Sequence, residues 1–109
     1  MATSNLTLEM PVSGSGYCKF PDGTMICYGT LLSKYSGAQI AFAQTFYSEP
    51  TVNVSLINSP STSYVYMPWA KSISTGSFYL KVNRTTGGSV GEWDGAADYS
   101  YVAVGRWKA

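Results

Sequence analysis

An acidic and aromatic segment in the second half of the chain holds the side chains best suited to act on a ligand. Glu92 and Asp94 flank Trp93, and Arg84 precedes them. Two carboxylates beside an aromatic ring could form a glycosidase site, where their separation decides the mechanism. They could also bind a sugar without cleaving it, with the indole stacked on a pyranose and the carboxylates accepting its hydroxyls. Binding is the hypothesis we adopt, with Arg84 as a donor and no catalytic residue.

Histidine is absent from the 109 residues of the chain. Its absence excludes Ser/His/Asp and Cys/His triads, histidine metal ligands and the commonest general base. Cys18 and Cys27 make a poor zinc site without it. Gly87-Gly88 lacks the Lys-Ser/Thr pair and the following helix of a phosphate-binding loop. The sequence therefore predicts a protein that is not an enzyme and that needs no cofactor or metal.

The charge balance excludes two further classes of partner. Seven Lys and Arg residues against six Asp and Glu residues give a net charge of +1. A nucleic-acid-binding protein would show a basic excess or a basic stripe. The apolar stretches are too short to span a bilayer, and Met1–Asn5 lacks the basic and apolar regions of a signal peptide. We therefore expect no nucleic-acid partner and no membrane insertion.

Residue composition and turn signals predict an all-β chain. Aromatic residues make up 15% of the chain, and nine of them are tyrosines, which favour strands. Turns rich in Gly, Pro, Asn and Ser recur at short intervals, as in an antiparallel β-sandwich of six to seven strands. The predicted strands are 17–20, 24–29, 38–46, 51–56, 64–69, 77–82 and 99–107. The predicted core residues are Val52, Val54, Leu56, Phe78, Leu80, Val82 and Val102, with Phe20 and Ile26.

The chain divides into a short leading segment and one domain. Residues 1–15 lead into a Ser/Gly-rich joint, and we expect a linker or a strand continuing from a longer stalk. Residues 16–109 form the predicted sandwich. Within it, residues 84–98 hold four glycines and fit no strand pattern, so they are either a binding loop or a plain hairpin connection.

The turn of the first hairpin decides the state of the two cysteines. If Asp22-Gly23 formed a two-residue loop, the cysteines would face each other, but Pro21 would occupy a hydrogen-bonding position and cannot donate. A type I turn led by Pro21, with the glycine as a left-handed bulge residue, avoids this conflict. Cys18 then pairs with Ile26 instead of Cys27. The sequence therefore predicts two free, mostly buried thiols.

Four segments follow one another in a distinctive order: Gly16–Gly29, Thr45-Phe46 with Pro50–Val54, Thr75–Phe78 and Tyr101–Trp107. In this order they resemble the C-terminal receptor-binding domains of phage and prophage tail-fibre proteins, in which an x-DG-T hairpin opens the domain and a Y-x-A-x-G-x-W strand closes it. The second half also resembles H-type lectins, which are six-stranded antiparallel sandwiches that form trimers and bind sugars such as N-acetylgalactosamine.

The resemblance implies a non-enzymatic adhesin at the tip of a virion tail fibre. It implies a homotrimer that is made in the bacterial cytoplasm and binds a host cell-surface glycan. Two alternatives stay open: a structural trimerisation module without its own ligand, and a free-standing H-type lectin. If Trp93 stacks on the glycan, we expect that Trp93→Ala removes binding without lowering the melting temperature.

Overall fold

The fold is an antiparallel β-sandwich, as the sequence predicts. The structure is a computed structural model that describes residues 12–61 and 63–109, except the side chain of Thr86. Residues 1–11 of the predicted leading segment lie outside the described residues. The strands of the described chain are β1 (Val12–Gly14), β2 (Tyr17–Lys19), β3 (Thr24–Lys34), β4 (Gln39–Ala41), β5 (Thr51–Leu56), β6 (Tyr66–Lys71), β7 (Ser77–Thr86), β8 (Ser89–Glu92) and β9 (Ala97–Arg106).

Two sheets form the sandwich. The first has five strands in the order β1-β2-β3-β9-β5. The second has four, with β7 between β6 on one side and both β4 and β8 on the other. The chain changes sheet after β3, where a bulge separates Leu31 from Lys34. Ser33 adopts a left-handed φ of 53° at this bulge, and its N–H donates to Asp98 Oδ1 at 2.9 Å.

The core lies between the sheets and is rich in aromatic rings. Phe78 packs against Phe42 and Tyr101, with ring centroids 5.7 and 5.2 Å apart. The predicted β7 core residues are fully buried, and those of β5 pack against the core. The buried residues are Met25, Cys27, Leu31, Ile40, Phe42, Phe46, Phe78, Leu80, Val82, Tyr99, Tyr101 and Ala103.

One predicted core residue of the last strand is wrong. Val102 is 44% exposed, because Tyr99, Tyr101 and Ala103 take the inward positions of β9. Successive residues of a strand point to opposite faces, so the burial of these three places Val102 outside. Ile26 is likewise only half-buried, since its neighbours Met25 and Cys27 face the core.

The first hairpin has the predicted register. Gly23 has a φ of +102°, and its N–H donates to the carbonyl of Phe20 at 3.0 Å. Cys18 faces Ile26, so it does not face Cys27. Both thiols are free: Cys27 is buried and Cys18 is half-buried. The prediction of two free thiols is therefore confirmed.

The segment 84–98, for which the sequence left a binding loop or a plain hairpin connection open, is mostly a β-hairpin. β7 extends to Thr86, turns at Gly87-Gly88 and pairs with β8 from Asn83 to Thr86. The two glycines have φ values of +57° and +92°, which suit a tight turn. This hairpin and β1 raise the number of strands above the predicted six or seven.

Candidate functional site

The chain crosses between the sheets at one end of the sandwich, which we call the distal end: β5 leads to β6 there, and β8 leads to β9. The N–H of Ile57 donates to the carbonyl of Asp98, and the N–H of Thr85 donates to the carbonyl of Val65, each at 3.0 Å. The opposite end holds the Gly23 turn, and the described chain begins beside it, because β1 pairs with β2. The distal end consists of residues 57–61, 63–65, 86–89 and 93–98.

Four side chains at or directly beside the distal end form what we call the Arg84 cluster: Tyr64, Tyr66, Arg84 and Trp93. The guanidinium carbon of Arg84 lies 4.6 Å from the centroid of the Tyr64 ring. The rings of Tyr66 and Trp93 meet edge to face, with centroids 4.8 Å apart. Tyr66 is the register partner of Arg84 on the neighbouring strand. The cluster therefore combines a half-buried cation with aromatic surface.

Arg84 is available to an external acceptor. The ion pair in the described part of the chain joins Lys81 to Glu92, and no described carboxylate pairs with Arg84. Stacking on the Tyr64 ring orients the guanidinium plane while leaving its N–H groups free to donate. A planar guanidinium can bind a carboxylate or a phosphate through two parallel hydrogen bonds.

Trp93 belongs to the cluster and to the core at the same time. Its ring packs against the buried residues, and its backbone N–H donates to the carbonyl of Val82 at 2.9 Å. A side chain at Gly95 would collide with the indole, so glycine is needed where the chain passes the ring. Because Trp93 packs on the core, Trp93→Ala should lower the melting temperature, contrary to the expectation from sequence alone. Trp93 is therefore a poor probe of binding by itself.

The side chain of Glu92 lies on the outward face of the second sheet, opposite to Trp93. It pairs with Asn83, which alternates with the buried Val82 and thus faces outward. Its carboxylate accepts hydrogen bonds from Lys81 Nζ at 2.8 Å and from Ser36 Oγ at 2.6 Å. These two donors hold the pKa of the Glu92 carboxyl below its usual value of 4.5.

The structure thus brings together only part of the predicted site. Arg84 and Trp93 share the inward side of the second sheet at the distal end, and Asp94 follows Trp93 as an exposed residue. Glu92 lies on the outward face with Lys81. The sequence does not assign Tyr64 and Tyr66 to the site, although both lie in the predicted strand 64–69, where they form a strip of aromatic residues with Trp69.

A buried hydroxyl lies next to the cluster. Tyr99 is fully buried, and its hydroxyl has no hydrogen-bond partner among the described residues. Burial raises the pKa of the Tyr99 phenol, and the neighbouring Tyr66 raises it further.

Glu92→Gln should weaken the pairing of β8 with β7 in a pH-dependent way. Because the folded protein favours the carboxylate, the stabilisation is complete above pH 4.5 and is lost as the pH falls through the lowered pKa. Melting temperatures of the variant and of the unchanged chain, measured from pH 7 to pH 3, should differ slightly at pH 7 and converge in acid. Glu49→Gln, at another exposed glutamate, is the matched control. A difference that stays constant with pH would contradict the assignment of this ion pair.

Neither a membrane-spanning helix nor a candidate metal site is found in the described residues. No helix there is long and apolar enough to cross a membrane. No group of three or more Cys, Asp or Glu side chains there could hold a metal ion.

Comparison with known proteins identifies the fold. No protein-family model and no curated protein sequence matches the chain. Solved structures do match: the C-terminal part of the R2 pyocin fibre of P. aeruginosa aligns over 89% of this chain and 25% of its own, with a TM-score of 0.66 and 16% identity. An N-truncated R2-type pyocin tail fibre aligns with the same TM-score and identity over 37% of its length.

A third structure agrees with these two. An N-truncated R1-type pyocin tail fibre aligns over 88% of this chain and 84% of its own, with a TM-score of 0.59 and 14% identity. The chain spans between a quarter and two fifths of the two R2 structures. The chain therefore has the fold found in pyocin tail fibres, and the resemblance that its sequence shows to tail-fibre C-terminal domains is confirmed for the fold.

Proposed function

We propose that the chain is the receptor-binding tip of a phage or phage-derived tail fibre. It acts as a homotrimer in the virion, binds a glycan on the host cell surface and performs no catalysis. The fold that it shares with pyocin tail fibres supports the tail-fibre role. The observation that carries the binding role is Arg84, a half-buried cation stacked on Tyr64 with no described carboxylate to neutralise it.

The Arg84 cluster suits a glycan that carries acidic groups. The guanidinium can donate two hydrogen bonds to a carboxylate or a phosphate, and the rings of Tyr64 and Trp93 offer apolar surface to the C–H faces of a sugar. Asp94 adds an exposed acceptor for sugar hydroxyls beside the cluster. Glu92 is a more remote member of the proposed set, because its carboxylate is already engaged by Lys81 and Ser36.

The position of the cluster supports recognition at the fibre tip. The described chain begins at the end of the sandwich opposite the cluster. If a stalk joins the chain at the end of the sandwich where β1 begins, the distal end points away from it and toward the host. Loops and hairpin turns at such an end can vary without disturbing the sandwich that carries them.

The electrostatics of Glu92 support binding over hydrolysis. A glycosidase needs one carboxylic acid whose pKa is raised, so that it can protonate the leaving group. Lys81 and Ser36 lower the pKa of Glu92, which keeps it ionised and engaged. The chain also has no histidine to take over the acid or base role.

A direct test is the binding of the fluorescently labelled chain to a panel of bacterial strains. We expect saturable binding to a subset of strains, competed by unlabelled protein. Periodate, which oxidises the vicinal diols of sugars, should remove binding when cells are treated before the assay, whereas protease treatment should leave it intact. The reverse pattern would indicate a protein receptor and overturn the glycan assignment.

The same assay separates the two alternative functions. A folded trimer that binds no strain in a broad panel would favour a structural trimerisation module. Agglutination of cells by the free chain, without any fibre attached, would favour a free-standing lectin. Shortening of the bound oligosaccharide after long incubation would contradict the non-enzymatic assignment.

A further inference from the structure

The outward face of the five-stranded sheet carries an unusual block of apolar side chains. Ile26 faces Val104 across β3 and β9, and Tyr28 faces Val102 in the same pair of strands. Tyr28, Val102 and Val104 are between 42% and 44% exposed. These two strands are internal to the sheet, where an outward face open to water is ordinarily polar. Four adjoining apolar residues there indicate a surface that is covered in the working protein.

The same face carries no charge in its centre. The register of β3, β9 and β5 places nine outward residues in three rows. None of them is Asp, Glu, Lys or Arg, although the chain has 13 such residues. The rows are Ile26–Val104–Thr51, Tyr28–Val102–Asn53 and Thr30–Ser100–Ser55.

The outward face of the other sheet is different. Lys81 and Glu92 form an ion pair there, and Lys71 is exposed beside them at the end of β6. Trp69 is exposed on this face as well, but its indole N–H donates to Asn83 Oδ1 at 2.6 Å. Tyr79 and Val90 are exposed on this face too, so apolar side chains there lie among charged and hydrogen-bonded ones. The first sheet differs because the centre of its outward face is apolar and carries no charge.

An uncharged face is well suited to contact with copies of the same chain. Around a rotation axis, residues close to the axis meet their own counterparts, so every charge there would face a like charge. Such repulsion grows when water is excluded from the contact. A surface for a different partner is under no such constraint and commonly carries complementary charges.

We propose that the outward face of β3 and β9, centred on Ile26, Tyr28, Val102 and Val104, is the contact between copies of this chain. The assignment rests on the homotrimer of the proposed function, because it identifies the face through which the copies meet. The second sheet then faces solvent, and the Arg84 cluster stays accessible, since it lies between the sheets at the distal end.

The test compares two valine-to-aspartate variants of the 109-residue chain. Val102→Asp puts a charge at the centre of the proposed contact, and Val90→Asp puts the same charge on β8, where Val90 is 63% exposed. Sedimentation equilibrium should give an oligomer for the unchanged chain and for Val90→Asp. Val102→Asp should be monomeric, or should associate at least tenfold more weakly.

A milder variant covers the case in which Val102→Asp does not fold. The pair Val102→Thr and Val104→Thr keeps the shape and strand preference of valine, and circular dichroism reports whether the sheet is intact. A folded variant with the mass of the unchanged chain overturns the proposal, as does an unchanged chain that is monomeric at every concentration. An unchanged chain that is monomeric yet binds cells refutes the homotrimer and this contact face but not the adhesin function, whereas an unchanged chain that is oligomeric and binds no cells refutes only the adhesin function.

Discussion

Phe78→Ala is expected to lower the free energy of unfolding by about 3–5 kcal/mol. Phe78 is fully buried on β7, and its ring lies within 5.2–5.7 Å of the rings of Tyr101 and Phe42. Alanine would remove the ring and leave a cavity that the closely packed side chains between the two sheets cannot easily close. Because whole domains are stable by only about 5–15 kcal/mol, much of the protein's stability would be lost.

The measurement is urea denaturation followed by tryptophan fluorescence, at one protein concentration for all variants, because association also contributes to stability. Phe78→Leu retains most of the apolar volume and should lose clearly less than the alanine variant. Val90→Ala, on the exposed surface of β8, is the control and should change stability by less than about 0.5 kcal/mol. An alanine variant of Phe78 as stable as this control would contradict the assignment of the core.

The motifs that carry the family resemblance are explained by packing. Thr24, in the opening hairpin, pairs with Arg106 in the closing strand. The indole N–H of Trp107 donates to the carbonyl of Phe20 at 2.8 Å, and a side chain at Gly105 would approach Phe46 to 2.9 Å. The opening and closing motifs are therefore two halves of one structural contact. This is why the sequence predicted the fold well, and why the same motifs say little about a ligand.

The errors in the predicted core have a physical cause. Over Tyr101–Val104 both alternating sets of β9 are apolar or aromatic, so that stretch alone does not decide which set faces inward, although Ser100 and Arg106 belong to the outward set. The tyrosines fill the interior and the valines Val102 and Val104 face outward, the reverse of what hydrophobicity alone suggests. An outward apolar set is what a surface buried between copies requires, and a sequence considered as a single chain cannot reveal that requirement.

The sequence predicts several residues of the candidate site, but it does not predict how their side chains are arranged in space. The segment 84–98 stands out in the sequence because it holds four glycines and fits no strand pattern. The pairing of β7 with β8, however, places Glu92 and Trp93 on opposite faces of the sheet. The stacking of Arg84 on Tyr64 depends on a loop that precedes β6, twenty residues earlier in the chain. Such contacts follow from the packing of the two sheets, and local spacing carries no signal for them.

Arg84→Gln should weaken binding to host cells at least tenfold while leaving the fold intact. A hydrogen bond to a charged group contributes about 1.5–3 kcal/mol, and about 1.4 kcal/mol corresponds to a factor of ten in affinity. Glutamine keeps a polar side chain of comparable reach but has neither the charge nor the planar fork of the guanidinium. The measurement is a binding isotherm of the labelled chain on a responsive strain, well below the melting temperature.

Two further variants separate the roles of charge and geometry. Arg84→Lys keeps the charge but loses the bidentate fork, so its affinity should lie between those of the unchanged chain and Arg84→Gln. Lys108→Gln removes one positive charge at the opposite end of the sandwich and should bind as the unchanged chain does. Raising the salt concentration should reduce the difference between arginine and glutamine, because it screens the attraction of an exposed anionic glycan. Equal binding by Arg84→Gln and Lys108→Gln would exclude Arg84 from the receptor contact. The aromatic rings of the cluster would then have only a structural role, as part of the packing at the distal end.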